Sequence, residues 1–211
     1  MKIITGKDDY QREITIELPE HKSRVGVMLS GGADSAILLY LLCLERKMGN
    51  LPHEIIPYTV PRGDGAWNYV YDIVSYIRNA LDCELPDSIQ VGDPNLHHSK
   101  QGRSGELAAR ELGMEHFYYG SQMTPPPEFP MPGDYPARPD KLEYDIGISC
   151  PFALCDKRNT IDLYSAFDQW DLLALTHSCT AQTEGRCGEC FNCTERKWAL
   201  NAGNFTDPGS K

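Results

Sequence analysis

Residues 24–35 read RVGVMLSGGADS, and this stretch decides the predicted fold. Its apolar first half, Arg24–Leu29, predicts a buried strand, and the helical spacing of apolar residues beyond it predicts a helix over Asp34–Met48. A glycine turn between a strand and a helix is where backbone amides and the helix dipole converge on an anion in parallel sheets. The sequence therefore predicts a phosphate-binding loop at Ser30, Gly31, Gly32, Ala33, Asp34 and Ser35.

The side chains of this loop limit the kinds of phosphate-binding motif to which it can belong. It lacks the Lys-Ser/Thr pair of a Walker A motif, because Gly32-Ala33 occupies that position, and it is not a GxGxxG fingerprint. The Ser30 and Ser35 hydroxyls could donate to phosphate oxygens. A carboxylate beside phosphate is repulsive unless a divalent cation lies between them, so we interpret Asp34 as a Mg²⁺ ligand or, alternatively, as the helix N-cap. A glycine turn that binds no ligand is the remaining alternative.

Strand and helix patterns alternate along the rest of the chain. Further strands are expected at His53–Val60, Ser88–Val91 and His116–Tyr119, and further helices at Ala66–Leu81, Gly102–Leu112, Arg158–Trp170 and Thr194–Ala202. Weak alternation in residues 1–23 predicts an N-terminal strand or arm. This order is typical of a doubly wound, mostly parallel, Rossmann-like α/β sheet. We expect a single domain over 1–211, with an α/β core at 24–176 and a C-terminal segment at 177–203.

A proline-rich stretch interrupts this alternation. Residues 124–140, TPPPEFPMPGDYPARPD, contain seven prolines, too many for a regular element. The stretch follows the expected strand His116–Tyr119, and open α/β sheets bind ligands beyond the carboxyl ends of their strands. We therefore expect Tyr119–Thr124 and the start of this loop to form a lid.

The overall charge limits the classes of partner. A formal net charge of −10 argues against a nonspecific nucleic-acid or anionic-membrane surface, because such partners need a clustered basic face. A small-molecule partner fits better. The polar N-terminal stretch and the lack of a long apolar run predict a cytoplasmic protein without a membrane span. A homodimer is compatible with the sequence, which does not determine the oligomeric state.

Four of the eight cysteines crowd near the C-terminus, at Cys179, Cys187, Cys190 and Cys193. In a reducing compartment this crowding favours metal over disulfides, and overlapping CxxC steps suit a closed, structural zinc site. An iron–sulfur cluster on the same thiolates and cysteines without metal are the alternatives. His177 ranks second to the four cysteines as a ligand. We interpret Cys150 and Cys155 as core residues.

Two motifs together carry a family resemblance. Ser30, Gly31, Gly32, Asp34 and Ser35 match the SGGxDS loop of the N-type ATP pyrophosphatases, which cleave ATP between its α- and β-phosphates. With the C-terminal HSC and CGECFNCTERKWAL segments, the chain resembles the 7-cyano-7-deazaguanine synthase family. The other corresponding pieces are Gly102-Arg103, Lys157 with Ile161, Thr176-His177-Ser178-Cys179 and Arg196. The chain departs from the family pattern at Ser104 and at residues 60–65.

The resemblance implies an enzyme with ATP, Mg²⁺ and Zn²⁺ as cofactors and a small deazapurine and ammonia as substrates. The carboxylate of 7-carboxy-7-deazaguanine would be adenylated, ammonia would displace AMP, and a second adenylation would dehydrate the amide to a nitrile. Lys157, Arg103 and Arg62 are the candidates to neutralise charge on the α-phosphate, and a solvated surface charge is the alternative for each. The lid would then cover the heterocycle.

Three rival functions stay open at this stage. The enzyme could stop at the amide, it could thiolate RNA, or it could be a conjugating or binding module that acts on a macromolecule. The altered segment at residues 60–65 keeps the last alternative open. RNA thiolation would need a basic RNA-binding face, which the acidic balance disfavours.

Overall fold

The computed structural model describes residues 1–21, 23–96, 98–129, 131–132 and 147–209. Its strands are β1 (Lys2–Thr5), β2 (Arg12–Thr15), β3 (Arg24–Met28), β4 (Glu54–Thr59), β5 (Ile89–Gln90), β6 (His116–Tyr118) and β7 (Ile148–Ser149). Its α-helices are α1 (Ala33–Gly49), α2 (Val70–Leu81), α3 (His98–Glu111), α4 (Lys157–Ala166), α5 (Trp170–Ala174) and α6 (Phe191–Ala202).

The central sheet contains five strands in the order β5-β4-β3-β6-β7, and all neighbouring pairs in the described chain are parallel. Strand β3 is followed in sequence by its neighbour on one side, β4, while its neighbour on the other side, β6, comes later. The sheet order therefore reverses at β3. Parallel sheets bind ligands at such a point, beyond the carboxyl ends of the strands, and residues 29–32 connect β3 to α1 there. The parallel α/β prediction is confirmed.

Apolar residues of β4 and β6 alternate between two cores. Ile55 and Tyr118 belong to the larger core, whereas their chain neighbours Ile56 and Phe117 belong to the smaller one. Because successive strand side chains point to opposite faces, the two cores lie on opposite faces of the sheet. The larger core takes its helical residues from α1, α2, α4, α5 and α6, and the smaller core contains Ala109 of α3.

Helix α1 lies deep within the larger core. Its residues from Ile37 to Leu42 are buried almost all round, as in a helix surrounded by other elements rather than one that faces solvent. The helix ends at Gly49 and is capped by Asn50. The left-handed conformation of Asn50 (φ 47°) lets its amide donate to the Arg46 and Lys47 carbonyls. Such burial fixes the position of the first turn of α1, and with it the preceding loop.

Several element boundaries differ from the sequence prediction. The helix expected over Arg158–Trp170 is two helices, α4 and α5, separated by Asp168 in the left-handed region at φ 51°. Helix α3 begins at His98 instead of Gly102. Helix α6 begins at Phe191 instead of Thr194, because Cys190 serves as its N-cap residue. The helix expected over Ala66–Leu81 begins with a 3-10 turn at Ala66–Tyr69, and only the remainder, α2, is α-helical.

The N-terminal arm is a two-stranded antiparallel sheet of β1 and β2. It is attached to α4 through Asn159, whose backbone carbonyl accepts from Thr5 Oγ1 at 3.0 Å and whose side-chain amide donates to the Tyr10 carbonyl at 2.8 Å. The arm thereby covers one side of the larger core, to which it contributes Ile14 and Ile16.

The proline-rich stretch is irregular over residues 124–129, as expected. Phe129 packs on Trp198 of α6, with ring centroids 5.0 Å apart, so the beginning of the loop rests on the C-terminal helix. The segment expected to form the lid, Tyr119–Thr124 with the start of the loop, is described, whereas residue 130 and residues 133–146, which include the second half of the proline-rich stretch, lie outside the described residues. Among the described helices, none has the length and apolarity to cross a bilayer.

Candidate functional site

The loop after β3 depends on a glycine conformation. Gly31 has φ +84°, and a Cβ built on it would lie 1.9 Å from the carbonyl oxygen of Ala66. Its own carbonyl accepts from the His177 amide at 2.9 Å. The loop is therefore wedged between two other segments of the chain, and position 31 accommodates only glycine.

We expect Gly31→Ala to lower the free energy of unfolding by about 1–3 kcal/mol, because the added methyl meets both a backbone carbonyl and an unfavourable φ. Urea unfolding followed by circular dichroism measures the loss. Gly63→Ala is the matched control, since a Cβ at Gly63 meets no atom within 4 Å. Equal stability of the two variants would contradict the close approach at Gly31.

The two serine hydroxyls shape the loop. Ser35 Oγ accepts from the Ser30 amide at 3.1 Å and donates to the Gly32 carbonyl at 3.2 Å, while Ser30 Oγ accepts from the Gly32 amide at 3.3 Å. Ser35 is buried, and only Ser30 lines the adjacent cavity. Ser35 therefore preorganises the loop, and Ser30 is the hydroxyl that a ligand in the cavity could reach.

Asp34 lies in the first turn of α1 but does not cap it. The N-cap residue is Gly32, and no side chain caps this helix, so the interpretation of Asp34 as the N-cap is wrong. The Asp34 carboxylate instead accepts from Thr160 Oγ1 at 3.0 Å and forms an ion pair with Lys157 Nζ. The reason is tertiary: α4 packs against α1 and presents a cation and a hydroxyl to this carboxylate.

Gln122 completes this arrangement. With its amide oriented to satisfy both neighbours, it donates to Asp34 Oδ1 at 3.1 Å and accepts from Lys157 Nζ at 2.9 Å. Gln122 follows β6, so residues beyond the carboxyl ends of two neighbouring strands meet at the start of α4.

A second carboxylate faces Lys157. Glu195 of α6 is buried, and its Oε2 lies 3.5 Å from Lys157 Nζ. Burial raises the pKa of Glu195 to about 7, although Lys157 opposes the rise. Burial also lowers the pKa of Lys157, but the attraction of Asp34 and Glu195 outweighs it and leaves that pKa above the ordinary lysine value. Lys157 is thus a buried, charged ammonium shared by two carboxylates.

Glu195 is a site residue that the sequence patterns did not predict. Glu195 precedes the buried Ala199 by one helical turn, so the two side chains share the buried face of the C-terminal helix. A carboxylate on that face was the one sign in the sequence that pointed to Glu195. An ionisable residue at such a position is rarely buried without a partner. The partner, Lys157, is on another helix and could not be identified from spacing.

Of these groups, Ser30, Asp34 and Lys157 line a cavity of about 200 Å³. Backbone and side chains from the loop, from α4 and from the segment that precedes the cysteine cluster meet there. The lining residues are Ser30, Gly32, Ala33, Asp34, Arg62, Asp64, Ala66, Lys157, His177, Ser178, Cys179, Thr180 and Asn192.

The two arginine candidates have different positions. Arg62 lines the cavity and forms an ion pair with Asp64, a second lining residue. Arg103 is not among the described residues that line it. The Arg103 guanidinium is half exposed and donates to Glu106 Oε1 at 2.6 Å, one helical turn along α3. The structure thus brings Lys157, Asp34 and Arg62 together and leaves Arg103 with Glu106.

The four C-terminal cysteines form one cluster. The sulfur atoms of Cys179, Cys187, Cys190 and Cys193 lie within 4.8 Å of one another. Zinc–sulfur bonds of about 2.3 Å place tetrahedral sulfurs about 3.8 Å apart, so this cluster fits zinc. Two backbone amides, those of Glu189 and Cys190, donate to Cys187 Sγ at 3.4 and 3.2 Å. The turn between them requires the left-handed Gly188, at φ +78°.

His177 has a different environment from the cluster. Its ring stacks on Tyr69 with centroids 4.7 Å apart, and its Nε2 lies 2.8 Å from the Gln182 carbonyl oxygen. It belongs to the lining of the cavity rather than to the metal-binding group. The C-terminal segment therefore contributes the imidazole ring of His177 to the cavity and four cysteine sulfurs to the cluster.

Arg196 attaches the end of the chain to this segment. It is almost completely buried and donates to both carboxylate oxygens of Asp207, at 2.8 and 2.9 Å. It also donates to Thr176 Oγ1 at 2.6 Å and to the Leu173 carbonyl at 3.0 Å. Arg196 therefore stabilises the connection between α5, α6 and the cysteine cluster.

The geometry defines a polar cavity built by the glycine loop after β3, a buried lysine that pairs with two carboxylates, and a segment that ends in a four-cysteine cluster able to hold a metal such as zinc. A scan against protein-family models and a search of curated proteins both gave no match.

Proposed function

We propose that the chain is an ATP-dependent enzyme that adenylates a carboxylate and transfers ammonia to it, releasing AMP and pyrophosphate. The observation that carries the proposal is the ion pair between Asp34 of the loop and Lys157, which are 123 positions apart in the chain. The two residues belong to separate motifs of the 7-cyano-7-deazaguanine synthase resemblance. Their convergence in one cavity is what a shared active site requires.

The charges of the cavity suit a nucleotide with a divalent cation. One ammonium against two carboxylates leaves the group of Lys157, Asp34 and Glu195 with a net charge of −1 when all are ionised. That charge would repel a bare phosphate, whereas a Mg²⁺ ion between Asp34 and the phosphates would remove the repulsion. The start of α1, where Gly32, Ala33 and Asp34 line the cavity, would provide amides and the positive end of the helix dipole.

A carboxylate is a poor electrophile because oxide is a bad leaving group, and attachment of AMP creates a good one. In our proposal Lys157 and Arg62, which both line the cavity, neutralise charge that develops on the α-phosphate. Burial strengthens the effect of Lys157, since its charge is little screened by water. Zinc, held by four thiolates, would be structural and would fix the segment that carries His177.

The size of the cavity bears on how the ligand lies. Pockets for drug-sized ligands are typically about 300–1,000 Å³, whereas this cavity measures about 200 Å³. We infer that it accommodates the phosphates and the reacting carboxylate. The nucleoside and the acceptor ring would extend along the carboxyl edge of the sheet, toward Gln122 and the proline-rich loop.

The acceptor we propose is 7-carboxy-7-deazaguanine, with the nitrile as final product. A specific observation favours a second candidate. Residues 60–65, which depart from the family pattern, contribute Arg62 and Asp64 to the cavity wall. A change inside the cavity can alter the acceptor or the number of adenylations, so an enzyme that stops at the amide, or one that conjugates a macromolecule, is the alternative.

Mass spectrometry of the product separates these functions. Incubation of the zinc-loaded protein with 7-carboxy-7-deazaguanine, ATP, Mg²⁺ and ammonium should give the nitrile, with the amide as an intermediate. Accumulation of the amide alone would favour the first alternative. AMP formation that requires an added protein or nucleic acid and leaves the deazapurine unchanged would favour conjugation.

The nucleotide products test the loop independently of the acceptor. We expect ATP to yield AMP and pyrophosphate, and Asp34→Asn to reduce this turnover at least about a hundredfold. Folding should change less, because Lys157 keeps Glu195 as a partner. Quantitative ³¹P spectroscopy identifies the products, and Asp72→Asn in the first turn of α2 is a matched control. Release of ADP and phosphate would contradict the interpretation of the loop.

A further inference from the structure

Two cysteines outside the metal-binding cluster form a pair. Cys43 lies on the buried side of α1, and Cys83 follows the end of α2. Although 40 positions separate them, counted from their residue numbers, Cys83 packs on the core that contains Cys43, because Arg46 and Lys47 of α1 donate to the Glu84 and Leu81 carbonyls and hold this segment against α1. The two thiols thereby interact with each other. The pair lies at the far end of α1 from the phosphate loop, and the proposed function does not use it.

The two thiols differ in exposure. Cys43 is fully buried, whereas Cys83 is half-buried and lines the wall of a cavity of about 890 Å³. A small solute in this cavity can therefore reach Cys83, and Cys43 lies behind it. This geometry gives one accessible sulfur and one sheltered sulfur in contact.

Basic side chains surround the accessible thiol. The Arg46 guanidinium lines the same cavity as Cys83, and its position is fixed because it donates to the adjacent Glu84 carbonyl and to the His53 carbonyl at 3.3 Å. Lys47 Nζ donates to the Leu81 carbonyl close by. The hydrogen bond from Cys43, together with these cations, lowers the pKa of Cys83 to about 6, although burial opposes the shift.

We propose that Cys83 is an oxidation site for hydroperoxides and that Cys43 is its resolving cysteine. The Cys83 thiolate attacks the terminal oxygen of the hydroperoxide, the O–O bond breaks, and an alcohol or water leaves after taking up a proton. The resulting sulfenic acid is attacked by the sulfur of Cys43, which loses its proton. An S–S bond forms, the S–O bond breaks, and water leaves, so both thiols are oxidised and the peroxide is reduced.

Of the two cysteines outside the cluster and the pair, the fully buried one provides a contrast. Cys155 is buried, and burial raises the pKa of its thiol to about 12. Low pKa, access and a neighbouring resolving thiol are the features of oxidation-sensitive cysteines. Cys83 combines all three, whereas Cys155 has the properties of an inert core thiol.

Titration of the zinc-loaded protein with hydrogen peroxide at pH 7 tests the pair. After the free thiols are blocked with iodoacetamide, peptide mass spectrometry should find Cys43 and Cys83 joined with the loss of two hydrogens, and dithiothreitol should reverse the linkage. Before oxidation, iodoacetamide should modify Cys83 at least about tenfold faster than Cys155, because only the thiolate reacts.

Two variants separate the roles of the cysteines. Cys43→Ala should leave Cys83 as a sulfenic acid that dimedone traps, and Cys83→Ser should leave Cys43 reduced. A chelating dye monitors zinc, which should stay bound while the disulfide forms. Release of zinc before any linkage appears would overturn the proposal, and so would equal oxidation of Cys43 in Cys83→Ser. The wild-type titration decides the matter even if one variant folds poorly.

Discussion

Cys190→Ser is expected to lower the Tm by at least about 10 °C and to leave the protein poorly soluble. Closed zinc sites contribute binding energy directly to folding, and the loss of several kcal/mol shifts the Tm of a domain of this size by that amount. Cys190 is also the N-cap residue of α6, and because serine is itself a good N-cap, the loss of stability would report the metal site rather than the start of the helix. Calorimetry measures the shift.

Metal analysis of the same preparations identifies the ion. The wild type should contain about one zinc per chain, and Cys150→Ser, which lies outside the cluster, should retain it. Iron in the preparation, together with a visible absorption band, would show that the four cysteines hold an iron–sulfur cluster and not zinc. Less than about a tenth of an equivalent of zinc, with no iron, would defeat the prediction of a metal site.

Lys157→Met is expected to reduce AMP formation by about a hundredfold to a thousandfold, because it removes the buried cation next to the phosphate loop. It also leaves Asp34 and Glu195 without their cation, which costs about 3–5 kcal/mol in a buried ion pair. The double variant Lys157→Met/Glu195→Gln removes one of the unpaired carboxylates. It should regain stability, but it should remain inactive.

Two further variants serve as controls for this prediction. Lys197→Met changes an exposed lysine on α6, and Arg103→Gln removes the guanidinium that pairs with Glu106 on α3. Both should keep most of the wild-type AMP formation. Activity in the double variant, or a loss in Arg103→Gln as large as in Lys157→Met, would show that the catalytic cation is wrongly assigned.

Local patterns sufficed for much of the fold. The strand, glycine turn and helix at 24–49 could be predicted because apolar periodicity and glycine are local signals. Boundaries were less accurate where tertiary contacts decide them. The break between α4 and α5 at Asp168 needs a left-handed residue, and no sequence rule demanded one there. The start of α6 depends on Cys190, whose neighbours in space include the other three thiols of the cluster.

The sequence by itself determined the parallel α/β class and the identity of the four clustered thiolates. Both follow from spacing along the chain, which fixes which side chains share a turn. Only the tertiary structure decided which charges meet: Lys157 pairs with both Asp34 and Glu195, Arg62 lines the cavity, and Arg103 belongs to another ion pair. The same holds for Cys43 and Cys83. Contacts between distant residues depend on how the helices pack on the sheet, and local sequence patterns do not determine that packing.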